Sequence, residues 1–140
     1  VKGEVILQTS YPDNENLSCL IKHGYEEWMK QLLKLRKNLS LPPYKNWGVI
    51  QAKSKKYEDA ENFLYNIKKI LNKGRNIEIY GPMPSIMQKK ANLFNLNLIV
   101  QAENKKKLNY IFSDCIPLIK DIPYSNKIRW SIDIDPIDYD

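Results

Sequence analysis

Apolar residues recur along the chain with two different periods, and the period separates the predicted helices from the predicted strands. Spacings of three and four residues predict helices over 15–23, 25–39, 57–72 and 103–120. Alternating or short continuous apolar runs predict strands over 3–9, 47–52, 77–80, 93–102 and 128–135. In the strand over 93–102, Phe94, Leu96, Leu98 and Val100 alternate with Asn95, Asn97 and Gln101, which predicts a strand with one buried face and one solvated face.

Prolines and glycines divide this pattern. Gly24 is predicted to separate the first two helices, and Pro42 and Pro43 end the second one because proline lacks the amide that a helix requires. The segment Gly81–Pro84 is predicted to break the strand after Tyr80. Pro117 is expected to kink or shorten the last helix. The double proline also predicts a domain boundary, with one part over 1–39 and a second over 40–140.

Within the second part, the predicted order is strand, helix, strand, strand, helix, strand. This order is typical of an α+β fold, the split βαβ (βαββαβ) two-layer sandwich, in which two helices cover one face of a four-stranded sheet. The chain begins with Val1 and has no signal-peptide pattern, so we expect it to be a segment of a longer protein.

Charge indicates the class of partner. The chain has 140 residues and a formal net charge of +6, from 22 Lys and Arg against 16 Asp and Glu. Residues 131–140 contain four aspartates and no cation, so the rest of the chain is more basic than the total. Such a field attracts polyanions, and nucleic acid is the leading partner class. An ordinary solvated surface rich in lysine is the alternative.

Several chemistries are excluded by composition. Cys19 and Cys115 are far apart and form no CxxC pair, which argues against a disulfide framework and a zinc site and fits the cytoplasm. His23 is the single histidine, so no Ser-His-Asp or multi-histidine site can form. No glycine-rich phosphate loop occurs, so we predict no catalytic residue and no cofactor in this segment. No apolar run is long enough to cross a membrane.

Cations and aromatic rings at the predicted ends of elements are the candidates for contact with DNA. The candidate DNA-binding residues are Tyr44, Lys45, Lys89, Lys90, Lys105, Lys106, Lys107, Lys127 and Arg129. Further lysines stand at a strand end, at Lys53, Lys55 and Lys56, and Tyr124 lies outside the apolar stripes. No aromatic pair is visible on the polar face of the sheet, which favours binding through the phosphate backbone and shape over base stacking.

Two other readings of the charged residues are open. Asp133 and Asp135 lie on one strand face, where they could hold a divalent cation or act as an acid and base, although a solvated acidic tail explains them as well. A small phosphatase resembling acylphosphatase shares the predicted fold. It needs an anion-binding loop with an arginine after the first strand, and residues 52–56 offer lysines without a glycine cradle.

Three segments in order resemble one family. Ser40–Tyr44 (SLPPY), Gly81–Pro84 (GPMP) and Arg129–Pro136 (RWSIDIDP) are similar to the C-terminal region of the primosomal protein N′ (PriA) family of replication-restart DNA helicases. Gly3–Thr9 resembles the strand that closes the second helicase lobe of that family. The resemblance therefore implies that residues 1–39 are the end of this lobe with its connecting helices, and that residues 40–140 are the C-terminal DNA-binding α+β domain. The resemblance covers essentially the whole chain. The family pattern of basic, aromatic and basic residues before the long strand keeps only its aromatic here, Phe94.

The resemblance implies a larger parent protein. It would be an ATP-dependent helicase that moves 3′ to 5′, carries a zinc-binding insertion, recognises stalled or abandoned replication forks and initiates primosome assembly. ATP with magnesium, and zinc, are expected in that parent and not in this segment. The resemblance implies branched or single-stranded DNA, the single-strand DNA-binding protein and other primosome proteins as partners. A structural or protein-docking domain that does not contact DNA is the alternative.

Overall fold

The computed structural model of the protein describes residues 3–73 and 76–136, except the side chains of residues 87–90. The chain divides into two compact units, residues 1–41 and residues 42–140. The division follows Leu41, inside the proline-containing segment from which the sequence predicted a boundary. The helicase and DNA-binding roles assigned to the two parts stay predictions.

The first unit lacks the strand predicted at Gly3–Thr9, and that prediction is wrong. The described residues from Gly3 to Thr9 adopt no regular structure, and Val5 and Ile6 are 84% and 88% exposed. A strand requires a neighbour that accepts its amide hydrogens and donates to its carbonyls, and no described segment pairs with this one. An apolar run is therefore insufficient to make a strand without a sheet edge.

A helix with one break forms the rest of the first unit. α1 (Glu15–Asn38) begins after Asn14, whose side chain accepts hydrogen bonds from the backbone amides of Asn16 and Leu17 at 2.9 and 3.2 Å. Gly24 has φ 81° and ψ 177°, which interrupts the helical geometry. Positive φ is cheap only for glycine, so the predicted division into two helices at this residue is confirmed.

The second unit contains a four-stranded antiparallel sheet and two helices. Its elements, in chain order, are β1 (Asn46–Ser54), α2 (Tyr57–Leu71), β2 (Glu78–Lys90), β3 (Leu93–Ala102), α3 (Lys105–Lys120), a 3-10 turn (Ser125–Lys127) and β4 (Arg129–Ile134). The strands lie in the order β2-β3-β1-β4. The predicted α+β two-layer sandwich of split βαβ type is confirmed.

The hydrophobic core lies between the sheet and the two helices. Ile50, Leu96 and Leu98 of the central strands are fully buried, as are Leu64 of α2 and Leu108 of α3. Gly48 of β1 allows the closest approach, because a Cβ atom there would collide with the ring of Phe112. The apolar stripes that predicted the helices are therefore the faces that cover the sheet.

The structure corrects the predicted break in β2. The strand continues from Tyr80 through Gly81–Pro84 to Lys90, with register shifts after Tyr80 and after Pro84. β2 is an edge strand, whose outer side has no ladder partner, so a residue without an amide hydrogen is tolerated there. Glycine and proline introduce irregular pairing in this strand and do not end it.

Two smaller expectations also differ from the structure. Asn95, Asn97 and Gln101 on the polar side of β3 are 2–3% exposed, so β3 does not have the solvated face that its alternation predicted. The same face carries Ile99 and its cross-strand partner Val49, which are 7% and 1% exposed, so it is a second buried face. Pro117 lies in the last turn of α3, which continues to Lys120 and is not shortened.

Candidate nucleic-acid interface

Antiparallel pairing sorts the charged residues of the second unit to two opposite ends of the sheet. The Lys53 end consists of the last residues of β1 and β2 and the residues that precede or begin β3 and β4. It carries Lys53, Lys55, Lys56, the backbone of Lys89 and Lys90, Lys127 and Arg129. The Trp47 end is the opposite one and carries Tyr44, Lys45, Trp47, Glu78, Tyr80, Gln101, Lys105, Lys106, Lys107 and Asp135.

The nine predicted DNA-binding residues are therefore not brought together at one place. Lys127 and Arg129 lie at the Lys53 end, as does the backbone of Lys89 and Lys90, whose side chains lie outside the described part of the structure. The other five, Tyr44, Lys45, Lys105, Lys106 and Lys107, lie at the Trp47 end. DNA binding by any of the nine stays a prediction.

Polar side chains at the Trp47 end form hydrogen bonds with one another. Glu78 accepts from Lys45 Nζ at 2.6 Å, from Tyr80 Oη at 2.6 Å and from Gln101 Nε2 at 3.2 Å. Gln101 Oε1 in turn accepts from Trp47 Nε1 at 2.7 Å. The network joins residues of the β2, β3 and β1 strands and leaves Lys45 paired with a carboxylate.

The same network shifts two pKa values. The hydrogen bond from Lys45, followed by that from Tyr80, lowers the pKa of Glu78 below 4.5. The hydrogen bond to Glu78 raises the pKa of Tyr80 above 10.0, because the phenol donates to the carboxylate only while it is protonated. Both shifts favour the charge states that form the network near neutral pH.

The lysines at the start of α3 stand in a different setting. Asn104 caps this helix by accepting from the Lys107 backbone amide at 2.9 Å, and Lys107 Nζ lies 3.8 Å from Glu103. Lys105 and Lys106 are exposed in a first turn that has no acidic residue. Cations at a helix N-terminus are unfavourably placed relative to the helix dipole. These two lysines are accessible, but acidic residues surround the end on which they lie.

The Lys53 end presents cations without partners. Lys53 on β1 lies directly opposite Arg129 on β4, and Lys55 and Lys56 follow on the exposed turn that leads into α2. Within residues 3–73 and 76–136, none of these four side chains forms an ion pair. Like charges directly opposite on neighbouring strands repel each other, so an anion bound between them would relieve the repulsion.

Buried polar atoms lie beside these cations. Asn95 on β3 is the cross-strand partner of Lys53, and its Oδ1 has no hydrogen-bond partner. Ser85 Oγ on β2 also has no hydrogen-bond partner. Ser85 is close to Asn95 in the sheet, because the preceding residue, Pro84, pairs with Leu96. Buried polar atoms usually have a hydrogen-bond partner in the protein or in ordered water, so these two can accept from a group that enters beside them.

Phe94, the aromatic residue that the family pattern retains, lies at the Lys53 end as the cross-strand partner of Ser54 and Lys89, but its ring is on the core side of the sheet. Its ring packs edge-on against Tyr57 at 6.0 Å between centroids, and it adjoins the hydrophobic core. It therefore has a structural role in joining β3 to the start of α2.

A cleft of about 540 Å³ opens beside the Lys53 end, between α2 and the segment that joins α3 to β4. Its lining includes Asp59, Asn62 and Asn66 of α2, together with Tyr124 and Lys127. The sequence analysis missed the three α2 residues. Their spacing of three and four on the polar side of a helix was the available signal, but most such faces are only solvated.

Asp135, one of the acidic residues near the C-terminus, forms hydrogen bonds at the Trp47 end. Asp135 accepts from Asn46 Nδ2 at 2.7 Å and from the Trp47 backbone amide at 3.0 Å.

In the part of the chain that is described, no group of three or more His, Cys, Asp or Glu side chains could hold a metal ion. Asp138 and Asp140 lie outside the described residues. No described helix has the length and apolar character needed to cross a membrane.

Comparison with known proteins agrees with this architecture. The model of the family described as primosomal protein N C-terminal domain matches residues 37–137. The replication restart protein PriA of Haemophilus influenzae is 30% identical over 139 residues, which is 98% of this chain and 19% of that protein. The PriA protein of Rickettsia conorii is 32% identical over 136 residues, or 96% of this chain and 20% of that protein.

The fold defines a small α+β domain, and a designed protein named Foldit4 shares it. That structure has a TM-score of 0.50 and 8% identity, and the match covers 67% of this chain and 99% of the design. The sequence matches are more specific than the fold. The chain belongs to the primosomal protein N C-terminal domain family, and the predicted family is confirmed. It spans about one fifth of the length of the PriA relatives it matches.

Proposed function

We propose that the chain is the DNA-binding C-terminal part of a replication-restart helicase, and that the Lys53 end is its main DNA-contacting surface. The cations Lys53, Lys55, Lys56 and Arg129, which form no ion pair with a described residue, carry this proposal. Phosphate groups are bound by lysine and arginine side chains, and most of the affinity of basic proteins for DNA comes from such contacts. The names of the relatives support the role in replication restart.

The charge of the Trp47 end makes it a weaker candidate. Lys45 is already held by Glu78 at 2.6 Å, so a phosphate would have to displace a carboxylate. Glu103 and Asp135 add negative charge close to where a strand of DNA would pass. Electrostatic complementarity therefore favours the Lys53 end, and Lys105 and Lys106 contribute mainly to the overall field.

In the longer parent, this surface would position a stalled or abandoned fork while the helicase core moves 3′ to 5′ and primosome assembly begins. We expect the ATP, magnesium and zinc of that parent to be bound by other segments of it. Single-strand DNA-binding protein and other primosome proteins are the further partners that this assignment implies.

Titration of the chain with labelled forked and blunt duplex DNA tests the proposal, with fluorescence anisotropy measured at several salt concentrations. If about five phosphates are neutralised, the affinity falls with salt at a log-log slope of about −4. Salt-sensitive binding, stronger for the fork, supports the proposal. Absence of binding at low salt overturns it and leaves the domain a structural or protein-docking role.

A further inference from the structure

The cleft beside the Lys53 end has two chemically different walls. One wall consists of Asp59, Asn62 and Asn66, which α2 places on one side at spacings of three and four. The other wall is formed by Tyr124 and Lys127, and the buried ring of Phe63 contributes to the floor. The cleft measures about 540 Å³, within the usual range of about 300–1,000 Å³ for small-molecule sites.

The α2 wall offers hydrogen-bonding groups that the fold does not use. All three side chains belong to exposed residues, and no described side chain or backbone group forms a hydrogen bond with them. Asparagine presents both a donor and an acceptor, and aspartate presents two acceptors. The edge of a nucleobase carries the complementary set of donors and acceptors.

The opposite wall holds an aromatic ring in an unfavourable backbone conformation. Tyr124 has φ 67° and ψ 9°, in the left-handed region that costs a bulky residue free energy, and it is 70% exposed. Lys127 Nζ lies 5.0 Å from the centre of its ring. A glycine would adopt this conformation at lower cost, and the ring that stands here instead is exposed and lines the cleft.

A flat ligand with hydrogen-bonding edges and an attached anion matches this combination. Aromatic rings of proteins stack on bases, amides read base edges, and lysines bind the phosphates that join one nucleotide to the next. Bases inside a duplex are stacked and paired, so only an unpaired base can enter a cleft. Lys55 and Lys56, which follow the cleft-lining Ser54 along the chain, would hold the adjoining phosphates.

We infer that the cleft between α2 and Tyr124 binds one unpaired nucleobase of the DNA held at the Lys53 end. This inference rests on the proposed function and adds a base-binding subsite to a surface that otherwise contacts phosphates. The site favours DNA with a single-stranded tail or a fork junction over blunt duplex, because only these structures supply an unpaired base.

The experiment compares two DNA ligands that differ only in whether the nucleotides of a single-stranded tail carry their bases. A duplex with a short single-stranded tail is prepared with normal nucleotides and with abasic positions in the tail, and anisotropy gives the affinity of the chain for each. We expect the abasic tail to bind about tenfold more weakly, the size of effect found for the stacking of one base. A blunt duplex measured in parallel reports the phosphate contacts alone.

Variants locate the effect within the chain. Tyr124→Ala keeps a Cβ atom, hence the same backbone cost, and is expected to bind normal and abasic tails equally well, while Tyr124→Phe keeps the tenfold preference. Asn62→Ala is expected to reduce the preference. Tyr110→Ala is the matched control, since Tyr110 is 73% exposed on α3 and does not line the cleft. Circular dichroism verifies that each variant is folded.

Equal affinity of the unchanged chain for normal and abasic tails, with salt-sensitive binding to blunt duplex intact, overturns the base-binding inference and leaves the proposed function standing. A preference that survives Tyr124→Ala and Asn62→Ala also overturns it. Failure to bind any of the DNA ligands overturns the proposed function, and the inference with it. Loss of the preference for normal tails in Tyr124→Ala, with the preference of Tyr110→Ala unchanged, supports the inference.

Discussion

Both ends of the sheet carry lysines, but the groups that surround those lysines differ. At the Trp47 end, Lys45 donates to Glu78, which also accepts from Tyr80 and Gln101, so the charge is balanced inside the protein. At the Lys53 end, Lys53 faces Arg129 across the strands and no described carboxylate pairs with either. Charge that is left unbalanced by the fold is available to a ligand.

This difference gives the two ends different roles. A satisfied hydrogen-bond network stabilises the fold, because its buried member, Gln101, would be costly to leave unpaired. An unbalanced pair of cations weakens the fold slightly and strengthens the binding of an anion. Substitutions at the Trp47 end should therefore change stability, whereas substitutions at the Lys53 end should change affinity for DNA.

Charge reversal gives the largest expected contrast. Lys55→Glu combined with Lys56→Glu replaces two unpaired cations by anions, and we expect a loss of affinity for duplex DNA on the order of a hundredfold at low salt, with the salt slope reduced by about 2. Anisotropy titrations at several salt concentrations measure both quantities.

The matched control reverses two exposed lysines at the Trp47 end. Lys105→Glu combined with Lys106→Glu changes the net charge equally and places acids in the first turn of α3, where they favour the helix. We expect a clearly smaller loss of affinity. Equal losses from the two double variants would show that only net charge matters and that the two ends do not differ.

The next largest expected effect is on the free energy of unfolding, when the indole donor of Trp47 is removed. Trp47→Phe leaves Oε1 of Gln101 without its donor, and Gln101 is 2% exposed. We expect the free energy of unfolding in urea to fall by about 1–3 kcal/mol.

Trp130→Phe is the corresponding change near the Lys53 end. Its ring packs 6.2 Å from Phe63, and its indole nitrogen forms no hydrogen bond with a described residue. This control reports the loss of ring volume alone. A cost for Trp130→Phe that exceeds the cost for Trp47→Phe would contradict the structural role assigned to the hydrogen-bond network.

A single substitution should change stability and affinity in opposite directions. Arg129→Gln keeps most of the side-chain stem and removes the charge opposite Lys53. We expect unfolding to become harder by about 0.5 kcal/mol, since cross-strand repulsion is relieved, while DNA binding weakens. Thermal unfolding and anisotropy on the same sample measure the two effects. Reduced stability in this variant would mean that the two cations do not repel each other.

The smallest expected effect is the dependence of stability on pH at the Trp47 end. The lowered pKa of Glu78 means that the unfolded chain binds this proton more readily, so the contribution is present above pH 4.5 and is lost as the pH falls through the folded-state pKa. For Tyr80, whose pKa is raised, the contribution is present below pH 10.0 and is lost as the pH rises through the folded-state value.

Glu78→Gln isolates this contribution. Its melting temperature should fall less than that of the unchanged chain between about pH 6 and about pH 3. If the melting temperatures of the two proteins fall equally over this pH range, Glu78 does not contribute to the dependence of stability on pH. Because Glu78 is exposed, salt screens the effect, and the measurement is most sensitive at low ionic strength.

The sequence identified most elements of the fold because local chemistry decides them. The stripe of Phe63, Leu64 and Ile67 predicts α2 by spacing alone, and Gly24 predicts the interruption of α1. The three motifs around the prolines and Arg129 indicated the family, which the comparisons confirm. Alternation in β3 predicted a strand correctly but did not predict that both of its faces are inaccessible.

The errors share one cause, which is that strands depend on neighbours distant in sequence. Gly3–Thr9 has the composition of a strand and no described partner, whereas β2 contains Gly81, Pro82 and Pro84 and remains a strand because it pairs with β3 on one side only. Neither outcome is readable from the segment itself.

The amino-acid sequence by itself determined the periodicity, and hence the helices, the order of elements, the basic character and the family. Only the tertiary structure decided which lysines balance an internal carboxylate and which do not. Antiparallel pairing brings Glu78 to Lys45 and Arg129 to Lys53, across 33 positions in the first case. Electrostatic interactions depend on distance in space, so residues that look equivalent along the chain acquire opposite roles when the sheet assembles.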